Sequence, residues 1–192
     1  LVAANKVYDR ASTATVEFDS YSFGSSVVGS DVVTLNSASY LGTFASVNVA
    51  NGITVTVTGL SLGGAQPANY QLPSTITTLA NITAKELTVT GVTASNKTYD
   101  GNTTATLVTT SAAVSGYISP DTATFSKLSA AGTFDSADVA DGIVVRTTGF
   151  SISGGQSANY TLTQPTALGN ITPRDLTVSG ITASNKIYDD TN

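Results

Sequence analysis

The stretch Val92-Thr-Ala-Ser-Asn-Lys-Thr-Tyr-Asp-Gly101 organises the whole chain, because the same pattern occurs three times. It stands at residues 1–10 as Leu-Val-Ala-Ala-Asn-Lys-Val-Tyr-Asp-Arg and at residues 181–190 as Ile-Thr-Ala-Ser-Asn-Lys-Ile-Tyr-Asp-Asp. The copies are spaced about 90 residues apart, which exceeds the roughly 20–50 residues of a solenoid repeat. A unit of that length can bury its own small core. The sequence therefore predicts tandem modules.

The repeat also sets the expected module boundaries. Residues 51–59 match residues 141–149, so the similarity extends well beyond the motif itself. We predict a first module at residues 1–86, with its leading strand missing, and a second module at residues 87–175. Residues 176–192 are interpreted as the start of a third repeat that is cut off.

Alternation of apolar and hydroxyl side chains indicates β structure. Ile53-Thr-Val-Thr-Val-Thr58 has the period of two that half-buried strands show. Asn51-Gly52 and Asp141-Gly142 supply residues that are typical of tight turns. No segment has a convincing apolar stripe of helical period, so we expect at most one helical turn, at residues 44–49 or 134–139. Strands are predicted at residues 13–18, 32–35, 53–58, 70–72 and 87–90.

Short strands separated by turns predict an all-β protein built of tandem small antiparallel β modules, either sandwich-like or β-grasp-like. The join between the modules is also informative. From Ile82 to Tyr99 the sequence has one Gly and no Pro. Residues 85–92 are therefore expected to run as one strand from one module into the next. Such a join is stiff compared with a Gly/Ser-rich linker, and it predicts an elongated rod of two beads.

Composition narrows the possible functions. The chain has no His, Cys, Met or Trp, and its net charge is −5. Imidazole or thiolate metal sites, Ser-His-Asp catalysis and disulfides are therefore excluded. An acidic chain is a poor partner for nucleic acid, and no apolar run is long enough to cross a bilayer. We expect no enzyme activity, no cofactor, no nucleic-acid partner and no membrane insertion.

The recurring residues resemble the signature of the YDG module, which occurs in tandem in large bacterial surface and secreted adhesins, including filamentous-haemagglutinin-like exoproteins. The resemblance implies an extracellular or cell-surface location and a stalk or spacer role in cell adhesion or biofilm. It implies neighbouring repeats as partners, and host or matrix glycans or proteins as further ones. It supplies no catalytic residues. The residues that carry it as a structural motif are Asn5, Lys6, Tyr8, Asp9, Asn96, Lys97, Tyr99, Asp100, Asn185, Lys186, Tyr188 and Asp189.

Two residues of the motif allow alternative interpretations. The recurring Tyr is interpreted as a core residue whose hydroxyl bonds to backbone, with the Asp capping a turn; the alternative is an aromatic ligand platform. The recurring Lys is interpreted as a surface residue. A Lys–Asn amide cross-link is the alternative, with Asn69/Asn159 or Asn81/Asn170 as partner, and it requires a desolvated, neutral amine.

Arg10 and Asp190 replace the Gly of the motif, which leaves open whether that turn needs a positive φ.

Residues that differ between the copies are the better candidates for ligand contacts. Tyr21, Phe23 and Tyr40 have no aromatic counterpart in the second copy. An exposed aromatic cluster in the loop 19–40 could bind a carbohydrate or a protein; the alternative is a copy-specific filling of the core.

A weaker candidate is an acidic loop of the second copy. Asp135, Asp138 and Asp141 have oxygen ligands of the kind that Ca²⁺ takes. The alternative is a set of solvated loop carboxylates.

Overall fold

The computed structural model describes residues 1–19 and 21–190 and is all-β, with three short 3-10 turns. The strands of the first copy are β1 (Val2–Ala3), β2 (Lys6–Val7), β3 (Thr13–Ala14), β4 (Val16–Glu17), β5 (Val33–Asn36), β6 (Leu41–Phe44), β7 (Ala50–Thr58), β8 (Ser61–Gly64) and β9 (Ile76–Thr83). Those that follow are β10 (Lys85–Thr90), β11 (Thr93–Ala94), β12 (Lys97–Thr98), β13 (Thr104–Ala105), β14 (Leu107–Val108), β15 (Ala113–Ser115), β16 (Thr124–Ser126), β17 (Ala131–Phe134), β18 (Ala140–Thr148), β19 (Ser151–Ser153), β20 (Tyr160–Thr163) and β21 (Thr166–Thr172). The 3-10 turns are Gly24–Ser26, Pro67–Asn69 and Ser157–Asn159.

Each copy is built around one five-stranded sheet. The strand order is β2-β9-β7-β6-β3 in module one and β12-β21-β18-β17-β13 in module two. All pairs in each sheet are antiparallel except the first, in which the motif strand runs parallel to the last long strand. The equal order in both copies confirms the prediction of an all-β fold made of small repeated modules.

The long central strand of each sheet follows the alternation read from the sequence. In β7, Ile53, Val55 and Val57 are buried and the intervening threonines are more exposed. One expectation for this segment is wrong. Asn51-Gly52 does not separate two strands, because Gly52 (φ 62°) lies inside β7, where the register with β9 shifts. The positive φ serves a β-bulge here instead of a tight turn.

Two further local predictions differ from the structure. Residues 70–72 form no strand, whereas the equivalent Tyr160–Thr163 is β20 and pairs in parallel with β10. Within the described residues, no strand pairs with residues 70–72 as β10 pairs with β20. Residues 44–49 and 134–139 make bends after β6 and β17, not helical turns.

The two modules are joined by a single residue and share an apolar core. Ala84 alone separates β9, the last strand of module one, from β10, which lies between β15 and β20 of module two. Leu87 of β10 is 0% exposed and belongs to the same apolar cluster as Val55 and Ile82 of module one. β10 covers most of the segment 85–92 that was predicted as one strand between the modules, but its strand partners all belong to module two. The connection to module one is made by side chains, because Leu87 packs in the core of that module.

The third copy of the motif lies outside the apolar cores of the described residues. Residues 173–189 form no strand, and Leu176, which is equivalent to Leu87, is 90% exposed. Val178 and Tyr188 are exposed in the same way. Within residues 1–19 and 21–190, the structure has no helix that is long and apolar enough to cross a membrane.

We predict that Leu87→Ala lowers the free energy of unfolding by about 2–5 kcal/mol, the cost of a large buried cavity. Leu176→Ala is the matched control, because the same residue at the equivalent position is exposed and should change stability by less than about 0.5 kcal/mol. Urea denaturation followed by circular dichroism measures both. Equal effects of the two substitutions would contradict a core that is continuous across the join.

Candidate functional site between the modules

The motif lysine holds the loop that follows it. Lys6 Nζ donates hydrogen bonds to Asp9 Oδ1 (2.7 Å) and to the carbonyls of Ala11 (2.6 Å) and Thr13 (3.2 Å). The ammonium also lies 5.3 Å from the centre of the Phe44 ring. An ammonium with an acidic partner and two carbonyl partners is a charged structural donor. The Lys–Asn cross-link needs a different environment, that of a neutral amine.

Module two repeats this arrangement. Lys97 Nζ donates to Asp100 Oδ1 (2.7 Å) and to the carbonyl of Asn102 (2.6 Å). Two of the asparagines considered as cross-link partners, Asn81 and Asn170, have other contacts. Asn81 Oδ1 accepts the N–H of Gly52 (2.8 Å), and Asn170 Oδ1 is bonded to Gly142 in the same way.

The first asparagine of the motif ties the motif to the sheet. Asn5 Oδ1 accepts the backbone N–H of Asn81 (2.7 Å), and Asn96 Oδ1 accepts that of Asn170 (2.8 Å). Both pairs lie beside the parallel pairing of the motif strand with the last long strand of its module. The asparagine therefore fixes the register of the motif strand.

The turn after the motif takes a positive φ in all three copies. The angle is 66° at Arg10, 79° at Gly101 and 60° at Asp190. The Asp of the motif shapes this turn, since Asp9 Oδ1 accepts the N–H of Ala11 at 2.9 Å. Burial raises the pKa of Asp9, but the hydrogen bonds from Lys6 and Ala11 outweigh it and leave the pKa below its usual value. The turn therefore takes a positive φ even where Arg10 or Asp190 replaces the Gly of the motif.

The motif tyrosine of module one contacts module two. Tyr8 is 2% exposed, and its hydroxyl donates to Asp121 Oδ2 at 2.7 Å. Tyr160 donates to the same oxygen at 2.7 Å, and Arg10 Nε lies 3.1 Å from the other one. The rings of Tyr8 and Tyr160 meet edge to face, 5.4 Å apart. We call Tyr8, Arg10, Asp121 and Tyr160 the tyrosine socket.

The tyrosine socket corrects one expectation and reveals a missed residue. The Tyr8 hydroxyl bonds to a carboxylate of the next module, not to backbone as expected. The Asp121 side chain is 1% exposed, so its charge depends on these three partners. Its role was missed because its partners come from two modules. The available signal was that Asp31 and Asp121 recur at the repeat spacing.

A second set of hydrogen bonds crosses the same junction. Asn159 is buried, its Nδ2 donates to Asn48 Oδ1 (3.1 Å), and its Oδ1 accepts the N–H of Val49 (2.9 Å). We call this the asparagine clamp. The triplet Ala-Asn-Tyr recurs at residues 68–70 and 158–160. In module two, the Asn and the Tyr of this triplet both contact module one.

The pKa values of Tyr8 and Asp121 in the tyrosine socket are shifted in opposite directions. Burial, reinforced by the hydrogen bond to Asp121, raises the pKa of Tyr8 to about 12. Burial also raises the pKa of Asp121, but the hydrogen bonds from Tyr8 and Tyr160 and the charge of Arg10 outweigh it, so the pKa of this carboxyl is lowered overall. The socket is therefore held with a charged carboxylate and neutral phenols.

Each module also carries an unmatched half of the socket. In module one, Tyr70 donates to Asp31 at 2.8 Å and accepts the N–H of Val28 at 2.9 Å. The same pattern surrounds Tyr160 in module two. Tyr99, which is equivalent to Tyr8, is 40% exposed. The burial of the motif tyrosine thus depends on the module that follows it.

The copy-specific aromatic residues do not form one cluster. Tyr40 packs edge to face on Phe18 at 4.9 Å and accepts the N–H of Val16, as a residue that fills the core does. Tyr21 and Phe23 form a separate pair with ring centres 5.5 Å apart. That pair lines a surface pocket with Leu1, Leu35, Leu72 and Ile76.

The three candidate Ca²⁺ ligands have separate surroundings. Asp135 forms a two-pronged ion pair with Arg146 (2.8 and 3.0 Å). Asp138 accepts a hydrogen bond from Ser136, and Asp141 lies within β18. Over the part of the chain that the structure describes, no three acidic, His or Cys side chains form a group that could hold a metal ion.

Repeated β modules joined by one residue and a buried polar junction define a tandem β-repeat protein. The chain belongs to the YDG domain family, whose profile matches it twice, at residues 1–78 and 83–167. Comparisons with curated proteins and with solved structures gave no match.

We predict that Tyr8→Phe destabilises the chain by about 1.5–3 kcal/mol, the range for a lost hydrogen bond to a charged group. Tyr99→Phe removes the same hydroxyl from an exposed equivalent and should change stability by less than about 0.5 kcal/mol. Thermal and urea unfolding of both variants measure the difference. A Tyr8→Phe variant as stable as Tyr99→Phe would show that the socket bond contributes nothing.

The raised pKa of Tyr8 also predicts a loss of stability in alkali. A tyrosine titrates near pH 10 when unfolded and at about 12 in this fold. Its stabilising contribution is therefore complete below pH 10 and is lost as the pH rises towards 12. Urea midpoints measured across this range should fall less steeply for Tyr8→Phe than for the unaltered chain. Parallel slopes would contradict the assignment.

Proposed function

We propose that this chain is a segment of a tandem array that serves as a stiff spacer in an extracellular bacterial adhesin of the filamentous-haemagglutinin-like kind, in cell adhesion or biofilm. The observation that carries the proposal is the junction. One residue, Ala84, connects the two sheets, and the tyrosine socket and the asparagine clamp cross the boundary. The role is mechanical and non-catalytic, and the location is the cell surface or the extracellular space.

The junction resists bending for energetic reasons. A change of angle between the modules separates Tyr8 from Asp121 and leaves a buried carboxylate with fewer partners, which is costly. It also exposes Leu87, which bridges the two cores. Domains joined by small polar interfaces usually move relative to one another. A one-residue join, a continuous core and the buried polar contacts of the junction restrict that freedom.

We predict a narrow distribution of distances between spin labels on the two modules. The chain has no Cys, so Leu79→Cys and Leu168→Cys provide exposed, equivalent labelling sites on β9 and β21. Adding Tyr8→Ala and Asn159→Ala should broaden the distribution. The matched control adds Tyr99→Ala and Asn69→Ala, which alter the equivalent exposed residues.

The same measurement is repeated with calcium and with a chelator. An unchanged narrow distribution in both is expected. A broad distribution in the unaltered chain argues against a stiff spacer. A distribution that narrows only with calcium argues for a regulated joint and returns attention to Asp135, Asp138 and Asp141.

A carbohydrate- or protein-binding module is the second candidate. The observation that favours it is the exposed ring of Tyr21, which forms a pair with Phe23 beside a pocket. Retention on immobilised glycans or matrix proteins should then fall with Tyr21→Ala and persist with Tyr99→Ala, which alters an equally exposed tyrosine. Equal retention of both variants counts against this candidate.

A further inference from the structure

The first and the last strands of module two lie side by side and run in the same direction. We call residues 85–98 the entry segment and residues 160–172 the exit segment. β10 of the entry segment pairs in parallel with β20 of the exit segment, beginning with Lys85 opposite Tyr160. Further along both segments, β12 pairs in parallel with β21. The two pairings together form what we call the parallel ladder of the module.

The parallel ladder lies between the two connections of the module. Ala84 joins the entry segment to β9 of module one, and the chain leaves the exit segment after Thr172. A pull along the chain therefore draws the entry segment backwards at its start and the exit segment forwards at its end. Because the segments are parallel, these opposed forces act along the ladder and shear it. Its hydrogen bonds then carry the load together, whereas a ladder opened from one end loses them in turn.

Side chains add to the resistance of the ladder against sliding. Asn96 Oδ1 accepts the backbone N–H of Asn170 at 2.8 Å, which ties the entry segment to the exit segment. Leu87 and Ile171 are both buried, one on each segment. A slip of the register by one residue would turn such side chains from the core to solvent. Sliding therefore costs apolar burial as well as hydrogen bonds.

Module one has the same arrangement at the end that joins module two. Its motif strand β2 pairs in parallel with its last strand β9. Asn5 Oδ1 accepts the N–H of Asn81 at 2.7 Å. The N–H of Tyr8 donates to the carbonyl of Thr83 at 2.8 Å, immediately before Ala84. Tension that leaves module one through Ala84 is therefore also taken up by a parallel pair.

We propose that these modules bear mechanical load, because tension along the chain acts in shear on the parallel ladder and the ladder delays unfolding. Resistance to unfolding under tension is a different property from stiffness against bending, which belongs to the junction between the modules. The inference rests on the proposed spacer function for the source of the tension. The resistance itself follows from the direction of the paired strands within each module.

Single-molecule force spectroscopy in two pulling directions tests the proposal on the 192-residue chain, which has no Cys of its own. Handles on Glu86→Cys and Leu176→Cys, two exposed positions, lie at the start of the entry segment and beyond the end of the exit segment, so they shear the ladder. Handles on Glu86→Cys and Thr161→Cys open the ladder from one end, because these residues are directly opposite each other. At equal force, the sheared module should survive at least about tenfold longer, the effect of two hydrogen bonds that break together instead of in turn.

Two asparagine variants distinguish a hydrogen bond that bears load from one that only stabilises the fold. Asn96→Ala removes the bond between the entry and exit segments. Asn170→Ala removes a bond of the same kind and length, from the N–H of Gly142 to Asn170 Oδ1 at 2.8 Å, which joins β18 to β21. Both should lower stability in urea to a similar extent. With handles on Glu86→Cys and Leu176→Cys, Asn96→Ala should shorten the lifetime under load by about two- to tenfold, and Asn170→Ala by less than about twofold, because β18 carries no handle.

The load-bearing role and the stiff spacer fail in different ways. Equal lifetimes in the two pulling directions, or equal shortening by the two asparagine variants, overturn the load-bearing role even if the spin-label distances stay narrow. A longer lifetime in shear together with a broad distance distribution supports the load-bearing role and counts against the stiff spacer.

Discussion

The structure depends on a carboxylate that two modules bury together. Asp121 can lose its water only if its oxygens find other donors, because an unpaired buried charge costs several kcal/mol. Tyr160 comes from the same module, but Tyr8 and Arg10 come from the preceding one. The charge is therefore satisfied at one relative position of the modules. Misplaced packing at the junction leaves it without partners, so the carboxylate favours one angle between the modules.

The need to pair the buried Asp121 carboxylate explains the composition of the motif. Asn5 fixes the register of the motif strand, and Lys6 and Asp9 shape the turn that follows. These residues serve their own module. Tyr8 lies between Lys6 and Asp9 in the sequence, and its hydroxyl donates a hydrogen bond to Asp121 of module two. One short sequence thus combines a device for local folding with a contact for assembly, which is why Tyr99 keeps the motif and is nevertheless exposed.

Much of the fold was predictable from the sequence, since period-two alternation reports directly on which side chains face a core. β7 and β10 follow this rule, and the repeat spacing predicted tandem copies, of which the family profile matches two. The failures share a physical cause. Residues 70–72 have the composition of a strand, yet a strand needs a neighbour to bond with. The partner of Tyr8 was missed for the same reason, because local patterns carry no information about a group more than 100 residues away. Tyr40 packs on Phe18, apart from the pair of Tyr21 and Phe23. This arrangement depends on packing, which the spacing of residues in the sequence does not reveal.

The position of β10 in its sheet has a consequence for the order in which the two modules form. A ribosome completes β10 before β15 and β20, and by then β9 and the rest of the preceding module are available. Domains fold largely as units from the amino end during synthesis. The sheet β15-β10-β20 of module two is therefore built around a strand that follows module one by a single residue and already has Leu87 in the core of module one. The orientation of module two is thus inherited from module one, and a folding error in module one is passed on to module two.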